Sequence, residues 1–153
     1  MPVIELETTI AAPIQRCFDL ARSIDLHVDS MRHTGERAVA GRTSGLIELG
    51  ESVTWEAKHL GVRQRLTSRI TAFEPHTYFQ DTMTDGAFAS FVHDHFFRSS
   101  GPGETVMRDV VAFRSPLGVV GQAVDQLIIK RYLAKLLSGR QLAVKNAAER
   151  NTA

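Results

Sequence analysis

The segment Phe88-Ala-Ser-Phe-Val-His-Asp-His-Phe-Phe-Arg98, followed by Ser99-Ser-Gly-Pro-Gly103 and Thr105-Val-Met-Arg-Asp-Val-Val-Ala-Phe113, decides the fold. It predicts a β-hairpin: two alternating arms around a turn rich in glycine and proline. Because strand side chains alternate between faces, Phe91, His93, His95 and Phe97 share one side of the first arm. Met107, Asp109, Val111 and Phe113 share one side of the second. A turn centred on Gly101 sets His93 opposite Asp109 and His95 opposite Met107, with the register open by one pair. The resulting face mixes aromatic and aliphatic side chains with two imidazoles and a carboxylate. Buried polar groups need partners or a ligand, so such a face suits a sheet wrapped around a cavity.

Upstream, Val3 to Ile10 alternates as a half-buried strand, and Ala11-Ala-Pro13 ends it. Pro13 fits the first turn of a helix, in which Ile14, Cys17, Phe18 and Ala21 fall on one stripe. Cys17 is thus expected as inert packing. Ser23 is the expected N-cap of a second short helix from Ile24 to Met31. A short strand is expected around Glu36 to Ala40. Gly50 to Leu60 then places Val53, Trp55, Ala57 and His59 on one face, and the arm after Gly61 returns with Arg63, Arg65 and Arg69 along an outer, solvated face. Phe73-Glu-Pro-His76 reads as a turn, Thr77 to Met83 as a strand, and Asp85-Gly86 as the turn into the hairpin.

Downstream, Pro116-Leu-Gly118 ends the sheet. To about Ala148 the pattern is helical: Val120, Val124, Leu127, Ile128, Leu133, Leu136, Leu137 and Val144 recur at spacings of three and four. Gly139 is the expected point of a kink. Residues 149–153 are expected to fray, leaving a single domain over 1–148.

Bulk properties narrow the function classes. The 153 residues are 43% hydrophobic and 23% charged with a formal charge of +1, which supplies no general attraction for nucleic acid. A lone cysteine excludes an intrachain disulfide and a cysteine-cluster metal site. The N-terminal apolar run carries Glu5 and Glu7 with no basic segment ahead of it, which argues against a signal peptide. The uncharged run Ser115 to Val124 is only 10 residues long, too short to span a membrane. A cytoplasmic monomer or homodimer is expected, with at most weak peripheral membrane contact through the basic C-terminal helix.

The sharpest local signal is His93-x-His95, since two imidazoles two apart on a strand project in parallel and can ligate one metal, with His59 or Asp109 as a third ligand. Spacing fixes no third ligand, however. We therefore expect no metal and no cofactor, and read His93 and Asp109 as a hydrogen-bonded pair in a pocket wall. The same pair is the candidate acid/base couple, with His93 as proton carrier and Asp109 as its orienting partner. Trp55 is expected in the pocket wall.

The order strand, two short helices, six strands and a long C-terminal helix resembles the START-like, pollen-allergen-like (SRPBCC) superfamily, particularly its polyketide cyclase/dehydrase-like and coenzyme Q-binding-protein-like branch. The resemblance is carried by Ile4-Glu-Leu-Glu7, Ile10-Ala-Ala-Pro13, Cys17-Phe-Asp-Leu-Ala21, Val53-Thr-Trp-Glu-Ala-Lys-His-Leu-Gly61, Gly86-Ala-Phe88, His93 to Phe97, Met107 to Phe113 and Pro116 to Gly121. It implies an α+β helix-grip fold, a seven-stranded antiparallel sheet wrapped around a long C-terminal helix, with a mostly apolar pocket between them. It also implies a small hydrophobic ligand of lipid, isoprenoid or polyketide type. On that basis Trp55, His59, Phe88, Phe91, His93, His95, Met107, Asp109, Val111, Phe113 and Leu127 are the expected ligand-binding residues. The entrance is expected at the loops near Met31 to Gly41 and Asp85 to Phe88. The alternatives are a cyclase or dehydratase using His93 and Asp109, and an interaction module beside a partner such as a nucleotide-sugar-epimerase-like protein.

Overall fold

A computed structural model describes residues 2–150, without the side chains of Asp125 and Gln126. The strands are β1 (Val3–Ile10), β2 (Arg37–Gly41), β3 (Ser52–His59), β4 (Val62–Glu74), β5 (Tyr78–Asp85), β6 (Ser90–Gly101) and β7 (Glu104–Arg114). They form one antiparallel sheet in the order β1-β7-β6-β5-β4-β3-β2. Two short helices, α1 (Ile14–Ala21) and α2 (Ile24–Ser30), follow β1. A helical stretch closes the chain: α3 (Gly118–Val124), a wider π-type turn over Asp125–Ile129, and α4 (Lys130–Glu149). The expected helix-grip arrangement is therefore present.

Local chemistry explains most boundaries. Pro13 stands at the N-cap of α1 in an extended conformation, where its missing N–H costs nothing. The Ser23 side chain caps α2 by accepting from the Leu26 N–H at 3.1 Å. Gly41 closes β2 at φ 74°, with a β-carbon position only 2.2 Å from the Ser52 carbonyl oxygen, so only glycine fits there. Outside the sheet, Glu56 is covered by Arg37, Arg63 and Arg65 at 2.8, 2.9 and 2.8 Å. The expected face of Arg63, Arg65 and Arg69 is exposed, and Arg63 and Arg65 on it pair with this carboxylate.

The register of the central hairpin differs from expectation. His93 pairs with Val111 and His95 with Asp109, two residues further along β7. The turn is the tight Pro102-Gly103, with a bulge between Ser99 and Gly101; Gly103 takes φ 66°, which suits a hairpin turn.

The interior holds two apolar clusters. One centres on Phe18, fully buried, whose ring meets Phe73, Phe79 and Phe97 edge-on at 5.4 to 5.5 Å, a preferred aromatic geometry. Ile10, Cys17, Ile70, Met107 and Val144 join it. The other holds Ile4, Val111, Phe113 and Leu137, with Phe88, Phe91 and Leu133 against it. Between them, the inward faces of β4, β5, β6 and β7 and of α4 read apolar, polar, apolar: Ile70-Ser68-Leu66, Phe79-Asp81-Met83, Phe97-His95-His93-Phe91, Met107-Asp109-Val111 and, on α4, Val144-Gln141-Leu137. A polar belt thus crosses four strands and the helix.

The helical stretch corrects three expectations. Its break is at Asp125–Ile129, and α4 runs through Gly139. Val120, Val124, Leu127 and Ile128 are exposed, because α3 meets mainly the segment after it and not the sheet. Glu149 does not fray: it ends α4 and accepts from the Ala11 N–H at 2.8 Å. Residues 151–153 lie outside the described residues. Among the described residues, no helix is long and apolar enough to cross a membrane.

Candidate functional site

Strand alternation delivers His93 and His95 to the inner face of β6, each 4% exposed, and Asp109 to that of β7. Asp109 lies directly opposite His95 and diagonal to His93, so one carboxylate reaches both rings. Its Oδ1 is 2.7 Å from His93 Nε2 and 3.0 Å from His95 Nδ1. Gln141 Nε2 donates to its other oxygen at 2.7 Å and to the Leu6 carbonyl at 3.1 Å. On the opposite side, Asp81 Oδ2 lies 2.8 Å from His95 Nε2 and 3.9 Å from His93 Nδ1. Ser68 Oγ donates to Asp81 Oδ1 at 3.0 Å. The two imidazole rings stack with centroids 3.7 Å apart.

Two carboxylates around two imidazoles set the electrostatics. Burial works against charge on Asp109 and Asp81, yet the histidine hydrogen bonds prevail and hold both carboxyls below their usual range. His95 is also opposed by burial, but its bonds to Asp109 and Asp81 raise its pKa. His93 moves the other way: burial, and then the charge of His95, lower it. Of the two rings, His93 is therefore the one on which burial and its neighbour oppose charge. Its Nε2 is held by Asp109 and its Nδ1 faces Asp81 at 3.9 Å.

Beside this cluster lies a cavity of about 190 Å³ between the sheet and α4. Trp55, Ala57 and His59 of β3, Phe88 of the loop before β6, Phe91 of β6, and Leu133 and Leu137 of α4 form its walls. Asp81, His93 and Ser68 supply its polar end. Trp55 stacks on His27 at 3.9 Å, and His27 in turn lies 2.6 Å from Glu36. Burial, then Arg140, lowers His27 to about 4. His59 Nδ1 is 2.9 Å from the Tyr132 hydroxyl, which ties β3 to α4. Met31, Glu36, Ala87 and Phe88, from the two loops expected at the entrance, border the same cavity.

The expected binding residues separate into three groups. Trp55, His59, Phe88, Phe91 and His93 border the cavity. His95, Met107 and Asp109 lie behind it, around a void of about 10 Å³ beneath Gln141. Val111, Phe113 and Leu127 do not line it. The first two are sealed under Leu137 in the second apolar cluster, because α4 lies over that side of the sheet. Leu127 is 72% exposed, since the π-type turn carries it away from the sheet.

Asp81, Ser68 and Gln141 are absent from the expected set, although Asp81 and Gln141 carry a signal. Asp81 alternates with Phe79 and Met83, and Gln141 interrupts the stripe Leu137, Val144. His27 and Glu36 have no such pattern, since α2 and the loop before β2 meet only in three dimensions.

No family model and no curated protein matches the sequence. Solved structures do. A START superfamily protein from Mycobacterium smegmatis superposes with a TM-score of 0.74 over 98% of this chain and 99% of that one, at 12% identity. A protein from Thermus thermophilus gives 0.73 over 96% and 99%, at 18% identity. Ginseng major latex-like protein 151 from Panax ginseng gives 0.70 over 96% and 97%, at 14% identity. With such low identity over the full length, what this chain shares with them is architecture: it has the START-like helix-grip fold.

Proposed function

We propose that this protein binds a compact, largely apolar molecule in the cavity between sheet and α4, as a carrier or sensor. The observation that carries the reading is the cavity itself, with Trp55, Ala57, Phe88, Phe91, Leu133 and Leu137 in its walls and polar groups at a few points, Asp81 and His93 among them. Apolar walls drive binding by removing ligand surface from water, roughly 25 cal/mol per Å², and a few polar groups orient it. Size narrows the choice. A cavity of about 150 Å³ holds benzene, and drug-sized pockets begin near ~300 Å³. At about 190 Å³, the site fits one or two rings, or the leading end of an isoprenoid or polyketide chain that projects from the mouth.

Native mass spectrometry of the protein purified from its own host tests this, with Ala57→Phe as the partner experiment. Ala57 is buried in the cavity wall, so the larger ring fills the space. A bound apolar mass that disappears in the variant supports the reading. A protein free of ligand that also takes up nothing from lipid, quinone or polyketide mixtures refutes it.

His93, whose Nε2 is held by Asp109 while its Nδ1 makes no hydrogen bond among the described residues, favours one second reading: an acid/base enzyme catalysing cyclisation or dehydration. His93→Gln separates the two. A carrier keeps most of its affinity, whereas an enzyme still binds but loses turnover by about 10² or more.

A further inference from the structure

The polar belt contains an atomic arrangement that ligand binding does not require. Asp81, His93 and His95 present one oxygen and two nitrogens within 4.8 Å of one another. The nitrogens that face Asp81 Oδ2 are His95 Nε2 at 2.8 Å and His93 Nδ1 at 3.9 Å. Ligands of a tetrahedral zinc ion sit roughly 2.0 to 2.2 Å from the metal and thus roughly 3.3 Å from one another. The two distances bracket that value; an ion bound there would draw Asp81 Oδ2 and the two ring nitrogens to equal spacing and part the rings, which stack at 3.7 Å without it.

The surroundings match what a metal site needs. A ligating histidine characteristically gives its other ring nitrogen to a carboxylate, which fixes its orientation and tautomer. Here Asp109 Oδ1 takes the second nitrogen of both rings, at 2.7 and 3.0 Å, and Gln141 anchors Asp109. Ser68 anchors the remaining oxygen of Asp81. With both imidazoles deprotonated, as metal ligation requires, the two carboxylates contribute a charge of minus two in a water-poor interior, the complement of a divalent ion. Asp81 and His93 also border the cavity, which leaves a coordination position open to that side.

We propose that Asp81 Oδ2, His93 Nδ1 and His95 Nε2 bind one divalent first-row transition-metal ion, with Asp109 as the positioning residue for both histidines. Two nitrogens and one carboxylate with an open position suit Zn²⁺ or Fe²⁺ better than the hard, oxygen-seeking Mg²⁺ or Ca²⁺. The inference does not rest on the cavity's cargo, because metal binding is read with no ligand present.

The experiment titrates the full chain, stripped with chelator, with Zn²⁺ and, separately, Co²⁺ as a spectroscopic stand-in. The expected result is one equivalent bound, with visible d–d bands of low-coordinate cobalt. Asp81→Asn should weaken binding at least about 100-fold and Asp109→Asn about 10- to 100-fold, while the exposed His33→Gln changes nothing. X-ray absorption of the zinc-loaded wild type guards against variants that fail to fold, and should report two imidazoles. Absence of stoichiometric binding, full affinity in a folded Asp81→Asn, or a zinc shell without two imidazoles would each overturn the proposal. Failure of the apolar cargo experiment leaves these readouts untouched.

Discussion

Replacing Asp109 by asparagine removes a charge while keeping the shape, and it probes whether the polar belt is a desolvated network. The carboxylate accepts from both histidines at 2.7 and 3.0 Å and from Gln141 at 2.7 Å, and Asp109 is buried. An asparagine offers one oxygen and one NH₂, so at least one N–H donor would face another donor. Hydrogen bonds to charged groups contribute roughly 1.5 to 3 kcal/mol each, but they share one acceptor group and do not add. Breaking a buried pair by removing one partner costs about 3 to 5 kcal/mol, and we take that range. It is a large fraction of the roughly 5 to 15 kcal/mol that holds a domain folded. With a urea slope of about 2 kcal/mol per M, the unfolding midpoint should fall by roughly 2 M. Glu5→Gln is the control: it breaks the exposed pair with Arg108, and exposed pairs contribute at most about 1 kcal/mol. Urea denaturation of metal-free protein, followed by circular dichroism, measures both. An Asp109→Asn midpoint no lower than that of Glu5→Gln would refute the reasoning, because the carboxylate would then be neither desolvated nor shared.

Phe18→Ala should destabilise by about 3 to 5 kcal/mol, since Phe18 is fully buried and ringed edge-on by Phe73, Phe79 and Phe97; thermal unfolding reads this directly. Acidification should expose His27, whose folded pKa of about 4 lies below the ordinary 6.5. Above 6.5 both states are neutral and nothing is lost; as the pH falls below it, the unfolded chain takes up a proton that the folded chain refuses. Between about pH 7 and about pH 4.5 the wild type should therefore lose about 2 kcal/mol more than His27→Gln, and equal losses in urea titrations would contradict it. Burial first of all raises the Cys17 thiol above its ordinary pKa, so native protein should label with a thiol reagent only as fast as it unfolds. Gly41→Ala should cost more than about 1 kcal/mol, given its positive φ and the Ser52 carbonyl 2.2 Å from the added carbon; an unchanged melting temperature would show that β2 yields freely.

Much of the architecture is legible along the chain, because periodicity and punctuation act locally. Val3 to Ile10 alternates and is β1; Pro13 and Ser23 open the two short helices where expected. The faces of the hairpin are likewise set by alternation, so His93, His95, Phe97, Met107 and Asp109 all point inward. Register is not local. It depends on which residues of Ser99 to Gly103 make the turn, and a bulge together with the Pro102-Gly103 corner moves His95, not His93, opposite Asp109. The His93–Asp109 hydrogen bond nevertheless forms, because diagonal neighbours on one face remain within reach of long side chains.

The helical segment shows the opposite limit. Its apolar spacing predicts one continuous buried stripe, yet Val120, Leu127 and Ile128 are exposed while Leu137 and Val144 are buried. Spacing tells which residues share a face, but burial needs a surface to cover that face, and the sheet lies under α4 only. By itself, then, the sequence determined the strands, the helices and the inward direction of two histidines and an aspartate, since these follow from the pitch of the backbone. Only the tertiary structure decided that Asp81, Ser68 and Gln141 complete the cluster, that Trp55 stacks on His27, and that a cavity remains beside them. Those partners sit on different strands and on a helix far away in the chain, and nothing but the closure of the sheet around α4 brings them within bonding distance.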